Sequence, residues 1–385
     1  MVLTHPVYCP TKLIEGHSFE EALPEVLAER NWALITSEGW VRRGVLEKLG
    51  RATRPPAEVI SDVDPNPTFS SIPRLESQLP DVEAVVALGG GSVIDACKAA
   101  LALRGCQPLG EGSLGNHLRE GTALLEEMKP LPLIAIPTTS GTGSEVTRWG
   151  TIWGDDGIKH SVTDPRLFPT HAILDPGLLV SMSDALALAT GLDALSHAME
   201  AVWNRRHTAV TDAIAISAIA MIKEHLGPSI AEPDNIERRR YLQTASVMAG
   251  LAMGTTQTAL AHSISYPFTA HFGVPHGLAC SFTLAEVARY NLEEDVVRLQ
   301  PIADGLNCVA DEIPEALEVW FDQLGLGQEL SAYVEPSVTD QLGDNLITRA
   351  RAANNIRDID GAMARQLARS ALERFIPPQL VTAKV

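Results

Sequence analysis

The pattern of hydrophobic residues changes character once along this chain, near residue 180. Before that point, short apolar runs bounded by glycine, proline or polar residues alternate with helical segments, and after it nearly every segment has helical spacing. Alternating strands and helices are typical of a doubly wound parallel sheet. The sequence therefore predicts an α/β N-terminal doubly wound domain over residues 1–180 and an all-α domain over 181–385. The chain of 385 residues is long enough for two hydrophobic cores.

Charge and composition exclude several kinds of partner. The formal net charge of −18 disfavours nucleic acid and anionic membranes, because both require a basic surface. No run of 18 apolar residues predicts a membrane span. The N-terminus lacks the basic and apolar regions of a signal peptide. The charge leaves room for a small-molecule partner, including a small anion held by a few local cations. The five cysteines are scattered and never spaced C-x-x-C, which predicts reduced thiols in a cytoplasmic protein.

Most elements of the first half can be assigned from the sequence. Apolar runs predict strands at 32–37, 59–61, 82–88 and 131–137. Helices are predicted over 18–30, with Ser18 as the cap and Pro24 as a kink or early end, and over 93–103. A β-like stretch follows at 147–162. In the second half, helical spacing covers 185–190, 193–203, 209–225, 236–253 and 260–265.

A glycine triplet follows the strand at 82–88 and leads into a helix. Strand, glycine-rich turn and helix together favour phosphate binding, because the backbone can approach the anion and the free N–H groups of the helix start point at it. Gly89–Ser92 form the turn, and Asp95 and Lys98 follow on the helix. The pattern is neither G-x-G-x-x-G nor a P-loop. It indicates a pyrophosphate site, although a plain structural turn would look the same.

A second polar loop follows the strand at 131–137. Residues 138–145 read TTSGTGSE, a dense set of hydroxyl groups and glycines. In a parallel sheet, ligands bind at the carboxyl ends of the strands. The loop is therefore predicted to form a second wall of a nucleotide site; the alternative is an ordinary polar loop.

The second half contains a candidate metal site. Asp193 and His197 are four residues apart on a predicted helix and so project from the same face. His262 lies in an apolar helical run, and His276 follows a turn at Gly273. One carboxylate and three imidazoles form a set that suits a divalent metal ion. The alternative for Asp193 and His197 alone is a hydrogen-bonded pair. We expect the reactive site in a cleft between the two domains.

Six motifs occur in the order found in one known family. The chain resembles the iron-containing (group III) alcohol dehydrogenases over essentially its full length. The motifs are PNP at 65–67, GGGSVIDACK at 89–98, PTTSGTGSE at 137–145, LDP at 174–176, GLDALSHAME at 191–200 and PHG at 275–277.

The resemblance implies an activity and a set of site residues. It implies a metal- and nicotinamide-dependent oxidoreductase that transfers a hydride between NAD or NADP and a small aldehyde or primary alcohol, and a homodimer. The metal, Fe²⁺ or Zn²⁺, would be held by the four residues above and would act as a Lewis acid on the substrate oxygen. Nicotinamide-dinucleotide contacts are implied for Asn66, Gly90, Gly91, Ser92, Asp95, Thr138, Thr139, Thr142 and Lys159.

The chain departs from the family pattern at two positions. Many members have a histidine four residues after the third metal ligand, where this chain has Tyr266. Tyr266 or the nearby His271 is the candidate for a proton relay; a surface role is the alternative for His271. Many NAD-preferring members have an aspartate where this chain has Ser37. Ser37 would not repel a 2′-phosphate, so NADP is permitted, with Arg42 or Arg43 as partners.

The sequence allows more than one substrate and more than one reaction class. Residues 263–267 and 275–280 are similar to the branch of the family that reduces phosphonoacetaldehyde to 2-hydroxyethylphosphonate. Arg148, Lys159 and His160 are candidate cations for a phosphonate, or else surface or cofactor-contacting residues. The competing reading is a lyase like dehydroquinate synthase, which uses NAD and a metal without net redox change. A binding protein without activity is the third reading.

Overall fold

The structure, a computed structural model, describes residues 6–106, 111–154 and 158–377. Residues 1–5, on which the argument about a signal peptide rests, lie outside the described part. The chain divides into two compact units. The first, here the sheet unit, comprises Cys9–Thr139 and Gly143–Val180. The second, the helical unit, comprises Ser181–Val385 with Met1–Tyr8 and Ser140–Thr142.

Eight strands are found among the described residues of the sheet unit. They are β1 (Lys12–Glu15), β2 (Trp32–Ile35), β3 (Val59–Ile60), β4 (Ala84–Gly89), β5 (Leu133–Pro137), β6 (Trp149–Trp153), β7 (Lys159–Thr163) and β8 (His171–Leu174). Strand β1 was not predicted, because its residues are mostly exposed and carry no apolar run. The β-like stretch after residue 147 is an antiparallel hairpin of β6 and β7, which forms a sheet of its own.

Six α-helices lie between these strands in the described part of the unit. They are α1 (Phe19–Leu27), α2 (Glu38–Arg42), α3 (Val45–Ala52), α4 (Ser71–Gln78), α5 (Gly91–Gly105) and α6 (Glu111–Glu120). Ser18 caps α1 in a reciprocal capping box with Glu21, as the sequence predicted for Ser18. Helix α1 contains Pro24 and ends at Leu27, three residues before the predicted end.

The main sheet has the parallel architecture predicted from the sequence. Its strand order is β1-β8-β5-β4-β2-β3, and every neighbouring pair is parallel. The chain runs from β2 outward to β3 and then returns to the other side of β2 as β4. This reversal is a topological switch point, where ligands bind outside the carboxyl ends of the strands. A ligand is therefore expected next to the residues that follow β2, β4 and β5.

The helical unit contains twelve α-helices among its described residues. They are α7 (Asp184–Val202), α8 (Ala209–Ala231), α9 (Ile236–Thr256), α10 (Leu260–Phe272), α11 (His276–Ser281), α12 (Leu284–Leu292), α13 (Gln300–Leu306), α14 (Ile313–Gln323), α15 (Leu326–Ser331), α16 (Val338–Leu342), α17 (Arg349–Ala352) and α18 (Gly361–Phe375). One contiguous cluster of buried apolar side chains unites them. Across the described ranges, no helix combines the length and the apolar character that crossing a membrane requires.

Helix α7 corrects a detail of the sequence analysis. The segments 185–190 and 193–203 were predicted separately, on either side of Gly191, but they form one helix of 19 residues. A Cβ atom at Gly191 would lie 2.4 Å from the Cδ1 atom of Leu226 on α8. Gly191 therefore serves close packing between α7 and α8 instead of ending a helix.

Helix α11 approaches α7 even more closely, through Gly277. A Cβ atom there would lie 1.8 Å from the backbone oxygen of Ala189 and 3.1 Å from the Cβ atom of Asp193. The absence of a side chain at Gly277 thus allows the N-terminus of α11, which begins at His276, to lie against the turn of α7 that carries Asp193.

We expect Gly277→Ala to destabilise the protein, because the added methyl group meets backbone instead of a movable side chain. The loss should be about 1–3 kcal/mol, measured as a lower midpoint of thermal unfolding. Gly50→Ala is the control: Gly50 lies in α3 with no heavy atom within 4 Å of the new Cβ, so the change should stabilise the helix by about 0.5–1 kcal/mol. Wild-type stability of Gly277→Ala would contradict this close approach.

Candidate metal centre and nucleotide site

The four predicted metal ligands lie in the helical unit, on three helices. Asp193 and His197 are on α7, His262 on α10 and His276 at the start of α11. The Asp193 Oδ1 atom lies 3.8 Å from His197 Nε2 and 3.5 Å from His262 Nε2. The His262 ring is 4.6 Å from the His197 ring and 5.4 Å from the His276 ring, centroid to centroid. The structure therefore brings all four side chains together.

Two atoms at the centre of this cluster have no hydrogen-bond partner among the described residues. Asp193 Oδ1 and His262 Nε2 are buried, and neither has a hydrogen bond within the described part of the chain. Buried polar atoms in native proteins are almost always paired. The chemistry of the donors and the two unpaired atoms fit a divalent cation held between them.

The charged groups of the cluster shift the pKa values of Asp193 and His262 in opposite directions. Burial raises the pKa of Asp193, but His197 and the other imidazoles outweigh it and hold that pKa well below the usual range. Burial lowers the pKa of His262, yet Cys280, Glu200 and Asp193 together raise it well above the usual value. The two shifts have complementary causes: the imidazoles stabilise the ionised carboxylate of Asp193, and the neighbouring acidic groups stabilise the protonated ring of His262.

Glu200 orients one of the ligands and was not assigned a role from the sequence. Its carboxylate is fully buried and accepts hydrogen bonds from His262 Nδ1 at 2.8 Å, from the His262 backbone N–H at 3.0 Å and from the Ala259 N–H at 2.7 Å. A hydrogen bond at Nδ1 fixes the tautomer that leaves Nε2 free to bind a metal. The spacing 193, 197, 200 places Glu200 on the same helix face as the ligands, and this was the available signal.

A backbone carbonyl holds His197 in a similar way. The Gly141 carbonyl oxygen lies 3.3 Å from His197 Nδ1, which leaves Nε2 on the side of Asp193. Gly141 belongs to the short segment Ser140–Thr142 that groups with the helical unit. A Cβ atom at Gly141 would lie 2.8 Å from the Thr190 backbone oxygen, so only glycine allows this approach.

The two candidates for a proton relay lie in different surroundings. The Tyr266 ring, one turn after His262, is half-buried and stacks near the His276 ring with centroids 6.3 Å apart. His271 is exposed in the last turn of α10. Nine residues of helix separate it from His262, or about 13 Å along the axis. The structure brings Tyr266 to the cluster and leaves His271 at the far end of its helix.

In the sheet unit, some of the predicted nucleotide residues follow the carboxyl ends of strands: Ser37 follows β2, Gly90 follows β4, and Thr138 and Thr139 follow β5. The Thr36 hydroxyl donates to the Leu88 carbonyl at 2.7 Å, and the Thr138 N–H donates to Gly89 at 3.0 Å. A Cβ atom on Gly90 would lie 3.3 Å from the Thr139 side chain. These contacts hold the ends of the three strands side by side.

The glycine turn forms the N-terminus of α5, and another predicted residue lies beside it. Gly90 is the N-cap of α5, and no side chain caps this helix end. The Ser92 hydroxyl donates to the Pro65 carbonyl, which fixes the turn that contains Asn66 next to the start of α5. Uncapped N–H groups and the positive end of the helix dipole favour an anion here.

Lys98 has a structural role instead of the phosphate role suggested by the sequence. It is fully buried, and its ammonium group donates to the carbonyls of Ser144, Thr147 and Trp149 at 2.6–2.8 Å. Burial lowers its pKa to about 8, so it remains charged at neutral pH. After burial, the largest influence on the pKa of Lys98 is the negative charge of Asp95, which raises it. The lysine is thus committed to holding the loop after β5.

Asp95 is engaged in the same network. Its carboxylate accepts hydrogen bonds from the Ser144 hydroxyl and from the Thr151 N–H at 2.9 Å, and burial raises its pKa. Lys159, the first residue of β7, acts on Asp95 electrostatically. Burial likewise raises the pKa of Glu145, to about 7. Dinucleotide contacts of Asp95 and Lys159 therefore remain predictions.

The remaining predicted residues are placed as follows. Ser37 follows β2 as the N-cap of α2, and its hydroxyl makes no capping hydrogen bond. Arg42 pairs with Glu38 at 3.8 Å on the surface, and the Arg43 guanidinium lies 5.2 Å from the Trp40 ring. Thr142 belongs to the segment that groups with the helical unit.

Arg148 and His160 are the two other candidate cations for an anionic substrate. The side chain of His160 is fixed by contacts within the protein. Its Nδ1 atom lies 2.6 Å from the Leu118 carbonyl oxygen, and its ring contacts Phe69. Arg148 stacks on Trp149 at 5.1 Å, and its buried Nε has no hydrogen-bond partner in the residues described.

Comparison with known proteins matches both halves of the chain. The sequence model described as iron-containing alcohol dehydrogenase matches residues 10–176, and the one described as Fe-containing alcohol dehydrogenase family, C-terminal, matches residues 187–372. A phosphonoacetaldehyde reductase of Streptomyces viridochromogenes is 36% identical over 67% of this chain and 66% of its own. A 1-propanol dehydrogenase of Citrobacter freundii is 33% identical over 74% of this chain and 73% of its own.

Similarity to a solved structure covers almost the whole chain. The crystal structure of sulfoacetaldehyde reductase from Bifidobacterium kashiwanohense, in complex with NAD⁺, superposes with a TM-score of 0.85. It is 29% identical and the match covers 95% of this chain and 98% of that one.

We expect Glu200→Gln to weaken metal binding about 10- to 100-fold, because the amide cannot accept all three hydrogen bonds that fix His262. Metal titration of the metal-free protein measures this change. Glu145→Gln is the control, since Glu145 is an equally buried carboxylate in the sheet unit and should leave metal affinity unchanged. Equal affinity of Glu200→Gln and wild type would show that Glu200 does not position the ligand.

Proposed function

Because the chain belongs to the iron-containing alcohol dehydrogenase family, we propose that it reduces a small aldehyde bearing an anionic group, with phosphonoacetaldehyde as the first candidate. The reaction class is that of the family, a metal-dependent hydride transfer between a nicotinamide dinucleotide and an aldehyde or alcohol. One relative is named for phosphonoacetaldehyde and one structural neighbour for sulfoacetaldehyde. The two substrates share an aldehyde and a tetrahedral oxyanion, and this shared chemistry supports the proposal.

The observation that carries the proposal is the buried cluster of one carboxylate and three imidazoles. Asp193, His197, His262 and His276 would hold the divalent ion, Fe²⁺ or Zn²⁺. When bound, such an ion polarises a carbonyl oxygen or lowers the pKa of an alcohol. Bound NAD(P)H supplies the hydride in the reductive direction.

The protein's own groups prepare this chemistry. Glu200 and the Gly141 carbonyl hold the Nδ1 atoms of His262 and His197, so that both rings keep Nε2 turned to Asp193. The fixed rings need no reorganisation when a substrate arrives, and preorganised groups of this kind contribute most to electrostatic catalysis. Tyr266 Oη is the group proposed to pass a proton to the alkoxide oxygen as the alcohol forms.

Both dinucleotides are proposed as cofactors, with contacts from the residues implied by the family resemblance. Ser37 at the end of β2 carries no charge that would repel a 2′-phosphate, and Arg43 lies in the same short helix-turn region. A helix N-terminus at Gly90 supports pyrophosphate binding without a lysine, since Lys98 is committed elsewhere.

A homodimer, a cytoplasmic location and a role in phosphonate metabolism complete the proposal. The dimer and the metabolic role rest on the family resemblance. The cytoplasmic location is supported by the cysteines, none of which forms a disulfide within the described residues.

We expect NADH or NADPH to be consumed in proportion to added aldehyde, with kcat/KM for phosphonoacetaldehyde at least 10-fold above that for propionaldehyde. Sulfoacetaldehyde should fall between them. Spectrophotometric assays with each dinucleotide measure this; chelation should abolish the activity, and Fe²⁺ or Zn²⁺ should restore it. Preference for propionaldehyde would contradict the substrate proposal. Turnover without net consumption of NAD(P)H would favour the dehydroquinate synthase-like lyase.

We expect Tyr266→Phe to lower kcat for aldehyde reduction about 100-fold, the scale of lost general acid catalysis, with metal content unchanged. His271→Ala is the matched control on the same helix and should keep wild-type kcat. The reverse result, with loss only in His271→Ala, would transfer the relay to His271.

A further inference from the structure

A short helix late in the chain packs against the start of the helix that carries His262. Helix α17 begins after Thr348, whose backbone N–H donates to the Ser263 hydroxyl oxygen at 2.7 Å. The same hydroxyl donates to the Thr348 carbonyl at 3.1 Å. Beyond the other end of the helix, the Asn354 side-chain amide donates to the Thr258 carbonyl at 2.8 Å. Contacts at both ends therefore hold α17 against the region where α10 begins.

The side chain of Arg351 extends from α17 to the turn that precedes α10. Its Nη1 atom donates to Gln257 Oε1 at 3.0 Å, and the residue is half-buried. Within the described part of the chain, no carboxylate forms a salt bridge with this guanidinium group and no other group accepts a hydrogen bond from it. The remaining N–H groups can therefore bind an anion. Arg351 lies outside the motifs on which the family resemblance rests.

Gln257, the partner of Arg351, has an enforced backbone conformation. Its φ angle is +67°, which residues other than glycine rarely adopt unless surrounding contacts impose it. The Gln257 carbonyl accepts hydrogen bonds from the Asn204 side-chain amide at 3.0 Å and from the Thr256 hydroxyl at 3.2 Å. Because the Gln257 side chain is an uncharged amide, it positions the guanidinium group without neutralising its charge.

The turn that carries Gln257 is also bonded to the metal cluster. Ala259, two residues after Gln257, donates its backbone N–H to the Glu200 carboxylate at 2.7 Å. The same carboxylate accepts a hydrogen bond from His262 Nδ1 at 2.8 Å. Two residues span at most about 7 Å of extended chain. The guanidinium group of Arg351 therefore lies close to the groups that orient this predicted metal ligand.

The face of α10 next to α17 also carries the proposed proton donor. Successive residues of an α-helix are rotated by about 100°, so Tyr266 projects between the directions of His262 and Ser263. His262 faces the metal cluster, and Ser263 binds the start of α17. An aldehyde bound at the cluster next to Tyr266 therefore has α17, with Arg351, on one side of it.

We propose that Arg351 binds the anionic group of the substrate and thereby sets the preference for aldehydes such as phosphonoacetaldehyde. The inference rests on the proposed function, because it assumes that an anionic aldehyde is reduced at the metal cluster. A guanidinium group stays charged in proteins and presents paired N–H donors that match two oxygens of a phosphonate or sulfonate. In a chain with a net charge of −18, this local cation offsets the repulsion of an anion.

The cations suggested by the sequence lie in the other unit. Arg148, Lys159 and His160 belong to the sheet unit, and the Nδ1 atom of His160 is already bound to a backbone carbonyl. Arg351 belongs to the helical unit, as do Tyr266 and the four predicted metal ligands. Contacts within one unit therefore fix the position of Arg351 relative to the place where the aldehyde would react.

Variants of α17 test the proposal, and the same helix supplies the control. Arg351→Gln removes the charge, and Arg351→Lys keeps the charge without the paired donors. Arg349→Gln is the matched control, because Arg349 is exposed and projects about 160° away from Arg351 around the helix. Steady-state assays give kcat and KM for phosphonoacetaldehyde and for propionaldehyde, which has no anionic group. Methylphosphonate, which has the anion and no aldehyde, is tested as an inhibitor of propionaldehyde reduction.

We expect Arg351→Gln to raise KM for phosphonoacetaldehyde about 100-fold, the scale of two charge-assisted hydrogen bonds. Its kcat/KM for propionaldehyde should equal that of wild type. Arg351→Lys should lose less than Arg351→Gln, and Arg349→Gln should behave as wild type. Methylphosphonate should inhibit wild type and Arg349→Gln competitively, and this inhibition should weaken about 10-fold or more in Arg351→Gln.

The assays separate failure of this inference from failure of the proposed function. If wild type prefers phosphonoacetaldehyde and Arg351→Gln keeps that preference, the role of Arg351 is overturned and the proposed function stands. Equal losses on both aldehydes in Arg351→Gln would indicate a structural role and would also overturn the inference. A wild-type preference for propionaldehyde would overturn the substrate proposal, and the inference with it.

Discussion

A carboxylate buried among imidazoles is the interaction on which the helical unit depends. Asp193 is 4% exposed, and a charge left unpaired at such a position costs several kcal/mol. The neighbouring rings offset part of that cost, and a divalent cation would offset the rest. The packing serves the same end, because Gly277 and Gly141 let a helix and a loop approach where any side chain would collide with backbone.

The sheet unit contains a buried cation, Lys98, where the helical unit contains a buried carboxylate. Lys98 satisfies its three N–H groups with main-chain carbonyls and so fixes the loop that follows β5. Asp95 and Glu145 lie close enough to act on its charge. A phosphate bound at Gly90 would therefore rely on main-chain N–H groups and the helix dipole. The lysine contributes by shaping the loop and does not need to touch the ligand.

Strong periodicity made the fold predictable from the sequence, and motif spacing placed Asp193 and His197 on one helix face; the role of these residues as metal ligands stays a prediction. The buried strands and the helix face shared by Asp193 and His197 carry signals that survive without tertiary information. Strand β1 was missed because an exposed edge strand has no apolar run. Helix α7 was predicted as two segments on either side of Gly191, and the close contact of Gly191 with Leu226 is visible only in three dimensions.

The roles of Lys98 and Glu200 could not be derived from spacing alone. A lysine after a glycine turn suggests phosphate binding until its carbonyl partners, about 50 residues away along the chain, are known. Glu200 shares the helix face of Asp193, but its bond to His262 joins two helices.

The most direct test of the metal centre is an anomalous difference map from crystals of the active wild-type protein, collected at the absorption edge of its bound metal. The account predicts one peak about 2.0–2.2 Å from both Asp193 Oδ1 and His262 Nε2. A peak elsewhere in an active protein, or none at this cluster, would contradict it.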